Sequence, residues 1–146
     1  MILDKNLLFA TAQAITASAA STDVIDLGVL ADVGIGEELE VLALVTEAFT
    51  ASGSGTLTVA LQGSVDNSTF TDMAVSRAIG KADLVAGAEA VRWKIPGVAA
   101  GQAMPRYLRM YYTVATGPMT AGKITAGIIL DRQAAHAYAP GIAISN

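Results

Sequence analysis

Few residues in this chain have the type and spacing to do chemistry. His136 is its single histidine, and it has no cysteine. A hydroxyl nucleophile activated by histidine would have to use His136. That residue stands in an Ala-rich run, "RQAAHAYAPG", and no Gly-x-Ser-x-Gly elbow occurs. Without cysteine, a disulfide framework, a thiol nucleophile and a Cys-ligated metal are excluded. Carboxylates gather in two small groups, Asp23 with Asp26, and Glu37 with Glu38 and Glu40. A glycosidase needs two carboxylates facing each other across a cleft. Calcium needs several oxygens from one loop at set spacing, and the Asp-x-Asp-x-Asn-Gly pattern is missing around Asp66 and Asn67. These groups read as solvated loop carboxylates. Gly34-Ile35-Gly36 and Gly53-Ser54-Gly55 lack the strand-to-helix context of a phosphate loop and read as turns. Asn67-Ser68-Thr69 is a glycosylation sequon, meaningful only in a eukaryotic secreted protein. The expectation is a protein without catalysis, cofactor or metal.

Aromatic residues offer a different chemistry, that of contact. Tyr107, Tyr111, Tyr112 and Trp93 could line a platform on which sugar rings stack. Alternation along "RYLRMYYTV" puts Tyr107, Arg109 and Tyr111 on one face and Leu108, Met110, Tyr112 and Val114 on the other. Tyr and Arg are typical anchors of protein interfaces, so the first of these faces is the leading candidate for an interface.

The elements that must position these residues are strands. "TLTVALQGS" alternates, with Leu57, Val59 and Leu61 inward and Thr56, Thr58, Ala60 and Gln62 outward. "LEVLALVTEAF", Leu39 to Phe49, is apolar on both faces for most of its length and reads as a central strand. The Gly-rich turn "TASGSG" predicts that these two runs form a hairpin. "TGPMTAGK" likewise predicts that Ile124 to Leu130 is the partner strand of Arg106 to Val114, facing the same core. "STDVIDLG" and "EAVRWKIP" are shorter strands, and the loop at "VDNSTFTDM" re-enters a strand near Phe70. Seven or eight short strands with little helix predict an all-β protein, a sandwich, jelly roll or barrel.

At 146 residues the chain fits one domain with a hydrophobic core of its own. Residues 1–21 are rich in Ala, Thr and Ser, with large side chains chiefly at Ile2, Leu3, Leu7, Leu8, Phe9 and Ile15. They are expected to be an N-terminal arm ordered by what it lies on, with Leu7, Leu8, Phe9 and Ile15 in contact with a partner. Asp4 cancels the charge of Lys5, which argues against a signal peptide here. Residues 22–133 are expected to be the β-sandwich and residues 134–146 a C-terminal tail. The net charge is −4, and Arg77, Lys81, Arg92 and Lys94 are spread out, so direct binding to nucleic acid or an anionic membrane is not expected. No run reaches the ~18 apolar residues of a membrane span. Charged residues make up 15% of the chain against a usual ~25%, and 53% is hydrophobic. Such a surface suits burial against other protein.

Three segments carry a family resemblance: "AQAITASAASTDVIDLG", "LTVALQGSVDNSTF" and "RYLRMYYTVATGPMTAGKITAGIILDRQAAHAYAPGI". The last is the most specific, through "YLRMYYTVATGPMTAGK" followed by "LDRQ". Together they resemble the capsid cement, or head decoration, proteins of tailed bacteriophages. The resemblance implies a jelly-roll-like β-sandwich with extended N- and C-terminal arms, on the outer surface of the virion's capsid. It implies bridging of neighbouring major capsid proteins, self-association as a homodimer or a trimer, and a head stabilised against the pressure of packaged DNA. The alternative from the residues alone is a lectin-like jelly-roll module that binds carbohydrate.

Overall fold

The structure, a computed structural model, describes residues 4–28, 39–96 and 105–129. A 3-10 turn at Lys5–Leu7 leads into ten strands: β1 (Leu8–Ala14), β2 (Ala19–Ala20), β3 (Ile25–Asp26), β4 (Glu40–Ala51), β5 (Thr56–Ser64), β6 (Thr71–Val75), β7 (Ile79–Gly80), β8 (Glu89–Lys94), β9 (Tyr107–Ala115) and β10 (Met119–Ile129). They form two antiparallel sheets. One has the order β1-β10-β4-β8. The other has the order β2-β9-β5-β6, with β3 also on β9 and β7 also on β5. The fold is all-β, a sandwich of the two sheets. Among the described residues no helix is long and apolar enough to cross a membrane.

The core lies between the inner faces, which the period-2 alternation of each strand supplies. Val41, Ala43, Val45, Ile124, Ala126 and Ile128 come from the first sheet. Leu57, Val59, Leu61, Leu108, Met110 and Tyr112 come from the second. Of the predicted inward sets, Leu57, Val59 and Leu61, Leu108, Met110 and Tyr112, and Ile124, Ala126 and Ile128 are buried; Val114 is partly buried, Ala60 of the outward set is buried as well, and Leu130 lies outside the described residues. Pairing differs from expectation. β4 and β5 do not form a hairpin, and neither do β9 and β10; each pair crosses from one sheet to the other. Alternation specifies which face of a strand is buried, and strands on opposite sides of one core satisfy it equally well. The two crossings lie side by side. Thr50 and Thr120 share a hydroxyl hydrogen bond of 2.7 Å, and Thr56 and Thr116 one of 3.1 Å. Gly117 turns at a φ of 125°, and a Cβ there would meet the Ser52 carbonyl oxygen at 3.2 Å.

Within the segment expected as an arm, residues 1–21, β1 and β2 are built into the sandwich, and β3 follows where a strand was expected. β1 pairs with β10 at the edge of one sheet, and β2 and β3 pair with β9 at the edge of the other. The link between them is stitched by Gln13. Its side-chain amide donates to the Ala20 carbonyl at 2.9 Å and accepts from the Thr22 N–H at 3.1 Å. The Asp23 N–H also donates to the Phe9 carbonyl at 2.9 Å. Phe9 and Ile15 have no exposed surface and belong to the core. The segment is ordered by its own sandwich. The tail expected at residues 134–146, with His136, lies outside the described residues.

Candidate contact face

β9 is a central strand, between β2 and β3 on one side and β5 on the other. Its alternation buries Leu108, Met110 and Tyr112 and leaves Tyr107, Arg109 and Tyr111 half-buried on the outer face. On β5 the residues opposite are Ser64, Gln62 and Ala60, in that order. On β6 the residue opposite Gln62 is Asp72. Register thus aligns Arg109, Gln62 and Asp72 across three strands, and their side chains join. Arg109 Nε–H donates to Gln62 Oε1 at 2.8 Å, and Gln62 Nε2–H donates to Asp72 Oδ1 at 2.8 Å. The Arg109 guanidinium carbon lies 3.8 Å from the centre of the Phe70 ring and 5.8 Å from that of Tyr111. A cation over an aromatic face is held by the ring quadrupole.

A second cluster ends the face. Arg106 grips Asp26 with two hydrogen bonds, of 2.7 Å from Nε and 2.8 Å from Nη2. Its guanidinium carbon lies 5.0 Å from the centre of the Tyr107 ring. The Arg106 hydrogen bonds, then the Gly28 N–H, hold the Asp26 carboxyl at about 2, below its ordinary 3.8. Nearby in sequence, Asp66 closes the β5–β6 turn. It accepts from the Thr69 and Ser68 N–H groups at 2.9 Å each and from the Ser64 hydroxyl at 2.8 Å. In that order these bonds hold it at about 2. It is a turn carboxylate, as expected.

The hydrogen-bonded ladder makes this outer face continuous across β9, β5 and β6. Among the described residues no three His, Asp or Glu side chains gather to hold a metal. A family model described as Bbp16 matches residues 9–128, from the first core residue of β1 to the penultimate residue of β10. The chain belongs to the Bbp16 family. No curated protein matches it. The Bbp16 match starts at Phe9, so it takes in residues 9–21 of the segment that composition alone suggested was an arm.

In this Bbp16 chain the expected interface residues divide. Tyr107, Arg109 and Tyr111 stand together on the outer face. Leu7 and Leu8 are half-buried, and Leu8 lies over Gly127, where a Cβ would meet it at 2.9 Å. Phe9 and Ile15 are fully buried within the chain, in the core of the sandwich. Sequence reasoning missed Gln62, Phe70 and Asp72 as members of the face. The outward position of Gln62 was readable from alternation; its pairing with residues 47 and 10 positions away was not. Of the other candidate aromatics, Tyr112 is wholly buried and Trp93 packs against the core.

Proposed function

We propose that this protein is a structural virion component. It binds the outside of a phage capsid through the outer face of the β9–β5–β6 sheet and bridges neighbouring major capsid proteins. The single observation that carries this reading is the face itself. Tyr107, Arg109, Tyr111 and Phe70 are half-buried and stacked or hydrogen-bonded in place before any partner arrives. Flat, ordered surfaces with Tyr and Arg anchors suit protein contact at small entropic cost. The resemblance of the Arg106 to Ile142 segment to head decoration proteins supplies the partner and the place. The order of sheet crossings is in keeping with a jelly-roll relative of that group. Many copies on one lattice would hold firmly even where each contact is weak.

Carbohydrate binding is supported less. Stacking of sugars needs bare aromatic faces, and here guanidinium groups sit over Tyr107 and Phe70.

The test is occupancy of native particles. Heads purified from the virus that encodes this chain should contain it in large copy number, readable by quantitative mass spectrometry against the major capsid protein. Its absence from intact heads would end this reading.

A further inference from the structure

Arg109 is held in an uncommon way. Three other cations on the described surface meet carboxylates: Arg92 meets Glu40, Arg106 meets Asp26 and Lys123 meets Glu47. Arg109 is half-buried, yet its contacts are all neutral: the Gln62 amide oxygen and the rings of Phe70 and Tyr111. Its hydrogen bond uses Nε alone. Guanidinium carries five N–H donors, so the two Nη groups and their four donors remain for another acceptor.

A carboxylate stands close by and is kept from this cation. Asp72 lies two strands from β9, with Gln62 between. Gln62 accepts from Arg109 with its oxygen and donates to Asp72 with its nitrogen. The amide thus satisfies both charged groups and stands between them, on the strand that separates their backbones by about 10 Å, twice the spacing of neighbouring strands. The result is an oriented, partly desolvated cation with an unfilled fork, the geometry that matches a carboxylate. Tyr107 and Tyr111 flank it two residues away on either side, where they would screen a docked ion pair from water.

We propose that Arg109 is the receptor for a single carboxylate, an Asp or Glu side chain of the protein docked on this face, set among apolar residues of that partner. The inference rests on the contact-face reading above. A polyanion fits poorly. Asp26 and Asp72 share the face and the chain is net negative, so one cation can accept one negative charge but does not attract a row of phosphates.

The decisive variant moves a charge without changing its sum. Gln62→Glu combined with Asp72→Asn keeps a hydrogen-bonded ladder and the same net charge. It places the carboxylate directly opposite Arg109, which then fills its own fork. Purified heads stripped of the protein would be titrated with wild type, this double variant, Arg109→Gln, Arg109→Lys and the remote control Lys123→Gln. The double variant should melt at or above the wild-type temperature yet bind heads about tenfold or more weakly. Arg109→Gln should lose as much, Arg109→Lys less, and Lys123→Gln nothing. Folding of the double variant, checked by its melt, keeps the test open should Arg109→Gln misfold. If wild type binds and both the double variant and Arg109→Gln bind equally well, the carboxylate receptor is refuted and the contact face survives. If wild type itself does not bind, the contact-face reading fails and takes the receptor with it.

Discussion

Tyr112 offers a sharp test of the packing argument, because it is the one aromatic of β9 that points inward. It has no exposed surface, and its hydroxyl has no hydrogen-bond partner among the described residues. In the unfolded chain that hydroxyl is solvated. Burying it unpaired costs about 1–3 kcal/mol. Tyr112→Phe removes the cost and loses the packing of a single atom, worth less than a buried methylene at about 0.8 kcal/mol. The variant should therefore be more stable at neutral pH by about 1 kcal/mol, with a melting temperature a few degrees higher.

The same burial sets a pH dependence. Desolvation raises the Tyr112 phenol above its ordinary 10.0. A raised value means that the folded state keeps its proton where the unfolded state releases it. The stabilising contribution of the protonated phenol is whole below pH 10. It falls as pH rises from the unfolded value through the folded one, by about 1.4 kcal/mol per pH unit. At about pH 11.5 wild type should have lost about 2 kcal/mol more than Tyr112→Phe, which has no proton to lose there. Urea unfolding of both proteins at neutral pH and at several alkaline values measures both effects, and the difference between them cancels the other titrating groups. The reasoning is refuted if Tyr112→Phe is less stable at neutral pH by about 1 kcal/mol, the mark of a hydroxyl with a real partner. Parallel stability curves above pH 10 would refute the alkaline limb.

Two further perturbations probe the framework. Phe9→Ala should cost about 3–5 kcal/mol in urea unfolding, since Phe9 is a fully buried core residue; a dispensable arm would show almost no change. Gly122→Ala should cost about 3 kcal/mol or more. The new Cβ would overlap the ring of buried Phe49, and a φ of 138° is strained for any residue with a side chain; a melt equal to wild type would show that β10 can move away from Phe49.

The parts of this fold that alternate cleanly were legible in the sequence. β5 and β9 each bury their predicted inward residues, although Ala60 of the outward set of β5 is buried too, and the Tyr107–Arg109–Tyr111 set follows from the alternation of β9 alone. The sheet to which a strand belongs was not legible, because the core accepts an apolar face from either side. β1 was hidden for another reason. Ala12 has a φ of 46°, and the register with β10 slips between Leu8 and Ala10 and again between Ala10 and Gln13. A bulged strand loses its period of two. Phe9 and Ala10 are buried in succession and the next buried residue is Ile15, a spacing that fits neither strand nor helix. Small residues elsewhere in the segment then suggested an arm. The candidate face was legible as a row on one strand but not as a surface. Its depth comes from cross-strand neighbours that no local pattern announces.

That distinction bears on what the face can do. A row of exposed side chains on one strand would have to be ordered on docking, at about 0.5–1.5 kcal/mol for each long side chain. Here the ladder from Arg109 through Gln62 to Asp72 and the stacking on Phe70 have already restricted those side chains. Arg109 and Gln62 stand on β9 and β5, two central strands whose inner residues form the core, so that part of the platform shifts only if the core shifts. The turn that carries Phe70 back towards Arg109 is in turn fixed by three hydrogen bonds to Asp66. A loop-built site would trade that order for adaptability. A protein that must meet the same surface many times over gains from the opposite choice, since each contact needs only a modest surplus of free energy once its own ordering has been met by the fold.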